Sequence, residues 1–227
     1  MGDSCSSNEH ACGCSGNPRF DGVDPRYKRV LWAVIAINGI MFIVEMAAGQ
    51  LAGSQALQAD ALDFLGDTLT YGMSLAVIGR SLATRANAAL IKGLSLLAMG
   101  LWVFGSTAYQ VLILGLPDAE VMGFIGFLAL AANLASVILL MRYKDGDANV
   151  RSVWLCSRND AIGNVAVMGA AVLVWWLASA WPDIIVAGAM AALFLNSATQ
   201  ILRQSWAERR EAIATHVHAQ PRQSSSG

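Results

Sequence analysis

The sequence predicts an all-α membrane protein with six transmembrane helices, and three observations carry that prediction. The first is composition: the 227 residues are 56% hydrophobic and only 14% charged, with a mean hydropathy of +0.50, whereas a soluble domain is about one-quarter charged. The second is length. Six apolar runs, at 30–51, 57–79, 90–114, 121–141, 153–177 and 184–202, each come near the roughly 20 residues that cross about 30 Å of hydrocarbon. The third is the placement of basic residues, which alternates from one connection to the next.

The 29 residues before the first run are polar and hold no apolar signal-peptide core, so the first run reads as a retained helix. The runs are joined by turn-forming sequence, "GLPDAE" at 115–120, "YKDGDAN" at 143–149 and "SAWPD" at 179–183. Inside lipid a segment must satisfy its own backbone hydrogen bonds, and these runs are too long for barrel strands, so helices are expected. Residues 1–27 and 204–227 are polar and too short to bury a core. They read as disordered tails around a transport-sized membrane domain at 28–203.

Arg19, Arg26, Lys28 and Arg29 precede the first run, and Arg80, Arg85 and Lys92 flank the second connection. Arg142, Lys144, Arg151 and Arg158 flank the fourth, and Arg203, Arg209, Arg210 and Arg222 follow the sixth run. The first, third and fifth connections have none. The positive-inside rule then places both termini in the cytoplasm and requires an even number of crossings. Trp32, Trp154, Trp175, Trp176, Trp181 and Trp206 lie near run ends, as interfacial anchors do, and Trp102 does not.

Acidic side chains break this order. Glu45, Asp60, Asp63, Asp67 and Asp160 fall within the runs, where each costs roughly 2.5–3.5 kcal/mol even on the mild insertion scale. Asp60, Asp63 and Asp67 follow i, i+3, i+7 and share one helix face. Asp63 and Asp67 stack one turn apart with no Lys or Arg on that face, and two such carboxylates repel strongly in a low dielectric. Protons or a cation must neutralise them. In the fifth run Cys156 and Asp160 are again i, i+4, with Asn164 one turn further. Two carboxylates from one helix with a thiolate and a carboxylate from another make a four-donor set, which suits Zn²⁺. One soft sulfur among oxygens suits Zn²⁺ or Cd²⁺ better than Mg²⁺ or Ca²⁺.

Each position also has a plainer reading. Asp60 reads equally as a solvated or capping residue near the non-cytoplasmic face. A lone Cys in a membrane helix packs as a small apolar residue, and it is the partnership with Asp160 that favours Cys156 as a ligand. Glu45, seven residues after Asn38 on one face, reads first as a helix-bridging hydrogen-bond group. Asp183, after "WP", reads as a cap or first-turn acid. Cys5, His10, Cys12 and Cys14 in "SCSSNEHACGC" match no folded zinc module, and a cytoplasmic tail keeps them reduced. Metal capture by the tail and incidental thiols both remain open, as for His216 and His218 in "HVH".

"NGIMFIVEMAAGQLAGSQALQADALDFLGD", "WLCSRNDAIGNVAVM" and "WPDIIVAG", in that order, resemble the first and second helices, the fifth helix and the start of the sixth in the cation diffusion facilitator family of divalent-metal transporters. The likeness runs over about residues 28–203 and covers the family's six-helix membrane domain. By position it implies a transport site at Asp63, Asp67, Cys156 and Asp160, with Cys156 standing where the family usually has His. It implies a homodimer, although the family's cytoplasmic C-terminal domain has no counterpart here. Short proteobacterial members with the same "CSRND" run look most like this chain, which implies a multi-pass protein of a bacterial inner membrane.

The expected function is therefore secondary transport of Zn²⁺, with Cd²⁺, out of the cytoplasm in exchange for protons, with no enzymatic activity, prosthetic group or nucleic-acid partner. Asp60, Asn164 and Glu45 are its expected accessory residues. Export of Co²⁺, Ni²⁺ or Fe²⁺ through the same site is the alternative. A membrane-anchored metal chaperone or sensor leaves the intramembrane acids unexplained. An intramembrane aspartyl protease needs one acid on each of two helices, commonly in G-x-G-D, and "FLGD" lacks the first Gly.

Overall fold

The computed structural model describes residues 24–77, 82–113, 115–143 and 148–218, without the side chains of 74, 77, 82–86, 88–89, 113, 148–156, 204–205 and 207–218. The described residues form six α-helices, α1 (Pro25–Ala52), α2 (Gln55–Val77), α3 (Leu82–Ile113), α4 (Ala119–Leu140), α5 (Ala148–Leu177) and α6 (Trp181–His218), with a 3-10 turn at Met141–Tyr143 after α4. Each apolar run is the centre of one helix. The ends differ from expectation: α1 starts at Pro25, and α6 continues to His218. The tail expected to be disordered from 204 is thus helical through 218, because the hydrogen-bond ladder of α6 continues into polar sequence with no Pro or Gly to stop it.

Five of the helices are long and apolar enough to cross a membrane; α2 alone is not among them. Every stretch of 18 residues in α2 contains Asp60, Asp63 and Asp67, three acids that are each costly in hydrocarbon. Packing explains how α2 carries them. Among the described residues α2 is the one helix that touches all five others, while α1 pairs with α2, α3 with α6 and α4 with α5. The large apolar side chains exposed on the bundle belong almost wholly to the outer helices, such as Ile43, Leu51, Leu112, Trp175 and Trp176, and α2 contributes only Leu69. Apolar groups outward and carboxylates inward is the reverse of a water-soluble bundle. It is the arrangement lipid requires.

The pairs α1–α2, α3–α6 and α4–α5 each run antiparallel. A Cβ on Gly93 of α3 would meet Leu202 of α6 at 2.9 Å, and one on Gly100 would meet Leu195 at 2.9 Å, so two glycines let these helices close along one seam. On the other side a Cβ on Gly49 would lie 3.0 Å from both the backbone nitrogen and Cγ of Gln58. This close approach draws α1 against the first turns of α2. The turn between them is closed by Gly53 in the left-handed region (φ 67°), which glycine adopts without strain.

One end of the bundle bears Lys28, Arg29, Arg142 and Arg203, and there Tyr27 and Tyr143 meet edge to face at 5.0 Å. The other end carries acids that tie helix ends together. Asp118 caps α4 through Glu120 N (3.0 Å) and Val121 N (3.1 Å), and its own N–H donates to Ala52 O at 2.9 Å. Asp183 lies in the first turn of α6, yet it caps a different helix. It accepts from Ser54 Oγ (2.6 Å), Gln55 N (2.8 Å) and Ala56 N (3.0 Å), the unpaired donors at the start of α2. The sequence reading of Asp183 as a cap or first-turn acid holds on both counts, with the first turn belonging to α6 and the cap to α2.

Asp183→Ala strips three hydrogen bonds from the buried start of α2 and is expected to destabilise the bundle by about 1–3 kcal/mol, with Asp183→Asn retaining part of the loss. Thermal unfolding in detergent measures both. Gly49→Ala pushes α1 off α2 and is expected to cost about 1–3 kcal/mol as an overpacking change, read in the same assay.

Candidate functional site

Asp60, Asp63 and Asp67 recur on one stripe of α2 because the helix returns after 3.6 residues, and the central place of α2 turns that stripe inward. Asp60 is 1% exposed, Asp67 is 9% exposed, and Asp63 is half-buried. Asp160 reaches them from α5, and its carboxyl group interacts with those of both Asp63 and Asp67. These three acids line a cavity of about 380 Å³. Its wall runs from Met190 and Asp63 to Lys92 and Ile201, so it extends toward the basic end of the bundle.

The tertiary structure adds partners that sequence reading missed. Tyr71, fully buried one turn beyond Asp67, donates its hydroxyl to Asp67 Oδ2 and also lies 3.4 Å from Ser157 Oγ of α5. The i, i+4 spacing from Asp67 to Tyr71 was the available signal. Lys92, read from sequence only as a flanking basic residue, lines the cavity from α3 and acts electrostatically on Asp67. No Lys or Arg shares the acids' helix face, as expected, but a cation is supplied from another helix. No pattern within one helix could show that.

Among the described residues, no three His, Cys, Asp or Glu side chains are grouped so as to hold a metal ion. The backbone of Cys156 lies in α5, four residues before Asp160, and its side chain falls outside the described residues. Cys5, His10, Cys12 and Cys14 lie outside them too, as do the side chains of His216 and His218.

Three residues expected to be accessory lie inside the bundle without lining the cavity. Asn164 is fully buried, and neither its Oδ1 nor its Nδ2 has a hydrogen-bond partner. Asp60 is neither solvated nor a cap, and its Oδ2 has no donor. Glu45 finds its partner on another helix. It meets the carboxyl group of Asp60 on α2, so it does bridge two helices, but no donor outside that pair reaches its oxygens, and Asn38 donates to Val34 O on its own helix at 2.8 Å.

Residues 31–208 match the model of the cation efflux transmembrane domain. Curated relatives include the metal cation efflux system protein CzcD of Cupriavidus metallidurans, 26% identical over 78% of this chain and 60% of that protein. The zinc transporter ZitB of Yersinia pestis is 29% identical over 86% of this chain and 66% of its own length. The cadmium, cobalt and zinc/H(+)-K(+) antiporter of Bacillus subtilis is 27% identical over 78% and 61%. The chain thus spans somewhat under two thirds of the length of these relatives. A bundle with apolar flanks, a central helix carrying inward acids and a match over most of its length make this chain a member of the cation efflux family, a multi-pass protein of the bacterial cell membrane.

Proposed function

We propose that this protein exports divalent transition-metal cations, Zn²⁺ and Cd²⁺ foremost, from the cytoplasm in exchange for protons, as a homodimer with both termini cytoplasmic. One observation carries the reading: three carboxyl groups from two helices, Asp63, Asp67 and Asp160, converge on a cavity in the middle of a membrane bundle. The relatives' names, a zinc transporter and a cadmium, cobalt and zinc antiporter, support the substrate class. Cys156, four residues before Asp160 on α5, supplies the fourth donor and the soft element of the set.

The donors explain the exchange. A metal ion and a proton bind the same carboxylate and thiolate lone pairs, so each displaces the other. With the cavity facing the cytoplasm the acids release protons and take the cation. Facing outward, a more acidic side reprotonates them and expels it. A cavity walled by α2, α3, α5 and α6 gives a cargo room to enter and leave, whereas a closed shell suits a resident ion. Rocking of helices around a fixed central site gives access from alternate sides.

Two neighbours tune the site. Tyr71, by donating to Asp67, fixes one of its carboxyl oxygens in place beside the cavity. The Lys92 ammonium offsets the acids' charge when no metal is bound and opposes a second positive guest when one is.

Uptake of ⁶⁵Zn²⁺ into inside-out vesicles with an acid interior tests the proposal. Wild-type protein is expected to accumulate zinc, and dissipating the proton gradient should abolish the accumulation. Asp63→Ala and Asp67→Ala should each reduce uptake to background, and undiminished uptake would sink the assigned site. Cys156→Ser should weaken Cd²⁺ transport more than Zn²⁺ transport; equal effects would make the thiol a packing residue. Lys92→Gln should tighten Zn²⁺ binding, measured by calorimetry, while slowing release, so that KM and the maximal rate both fall.

A further inference from the structure

Just outside the cavity lies a second group of buried oxygens that the transport site does not use. Glu45 of α1 is 0% exposed, Asp60 of α2 is 1% exposed and Asn164 of α5 is 0% exposed. The carboxyl groups of Glu45 and Asp60 interact directly. Outside that pair no donor reaches either oxygen of Glu45 or Oδ2 of Asp60, and both polar atoms of Asn164 have no hydrogen-bond partner.

Helix register brings the three to one level. Gly39 lies beside Thr68 and Gly49 beside Leu57 and Gln58, so Glu45 between them comes level with the turn from Asp60 to Asp63. On the other side Asp160 meets Asp63 and Asp67, while Val167 packs in one cluster with Ala56 and Leu57. Asn164 lies between those two contacts on the same stripe of α5, and so reaches the same turn of α2. None of the three lines the cavity.

A buried polar group without a partner is costly, and two adjacent carboxyl groups with no outside donor are satisfied only by a proton they share or by a cation. Asn164 is an independent sign, because an amide buried with both ends unpaired has no packing advantage over Leu at that position. A cation bound among these groups satisfies all of them at once.

We propose that Glu45, Asp60 and Asn164 form a second divalent-cation position, one helical turn from Asp63 toward the acidic end of the bundle, with an all-oxygen donor set. It deepens the transport reading and rests on it: the ion passes from the sulfur-containing site to an oxygen-only one on its way out. Carboxylate and carbonyl donors suit harder ions such as Mn²⁺, whereas a thiolate favours Zn²⁺ and Cd²⁺. The two positions therefore differ in metal preference.

Mn²⁺ reports on the second position by electron paramagnetic resonance of the purified full-length chain, and bound Zn²⁺ is counted by elemental analysis. Bound Mn²⁺ is expected in the wild type and in Asp63→Asn/Asp67→Asn, and is expected to be lost in Glu45→Gln/Asp60→Asn. Each double variant should bind one Zn²⁺ fewer than the wild type. Retention of Mn²⁺ and of the full Zn²⁺ count in Glu45→Gln/Asp60→Asn overturns the second position and leaves the first intact. An unchanged Zn²⁺ count in Asp63→Asn/Asp67→Asn overturns the transport site itself. Should the Glu45/Asp60 variant fail to fold, Asn164→Ala carries the test: weaker Mn²⁺ binding supports the second position and unchanged binding overturns it.

Discussion

Carboxylates placed where water cannot solvate them constrain everything else in this bundle. A helix bearing Asp60, Asp63 and Asp67 on one stripe is a poor transmembrane segment by itself, and it crosses only when other helices screen that stripe from lipid. The packing answers this. The helix with three acids contacts every other helix, and the outer five present their apolar sides outward. The fold can be read as the apolar sheath that one charged helix needs.

Holding such a helix in place requires contacts that do not depend on apolar burial, since lipid is as apolar as the interior. Two kinds are visible. Glycines let backbones approach, with Gly49 against Gln58 on one side and Gly93 and Gly100 against α6 on the other. Buried polar bonds do the rest, most clearly the Asp183 carboxylate of α6 closing the first turn of α2. That bond joins a helix end to a neighbour about 130 positions away in sequence. The start of α2 is thereby fixed relative to α6, one wall of the cavity. Any motion that opens the site on one side must either carry α2 and α6 together or break this cap.

Much of the site was legible in the chain, for a simple reason. Asp63, Asp67 and Asp160 stand out because ionisable residues are rare inside apolar runs, and spacing alone puts Asp63 and Asp67 on one face. Tyr71 was within reach of the same periodicity, though a tyrosine in an apolar run carries no alarm. Lys92 was hidden because a basic residue near a run's start is what membrane topology already expects. Glu45 was read as a helix-bridging group but without its partner, because Asp60, the acid it meets, belongs to another helix.

The sequence by itself determined the helices and their number, since a lipid-spanning backbone has no other way to satisfy its hydrogen bonds and the hydrophobic thickness sets the length. It also determined that acids lie within those helices. The tertiary structure alone decided which helix sits at the centre, that Asp160 meets the α2 acids, that Lys92 faces them and that Asp183 caps a helix other than its own. Periodicity orders groups along one helix; only packing decides which faces of different helices meet, because those contacts depend on backbone approach and shape across long stretches of chain.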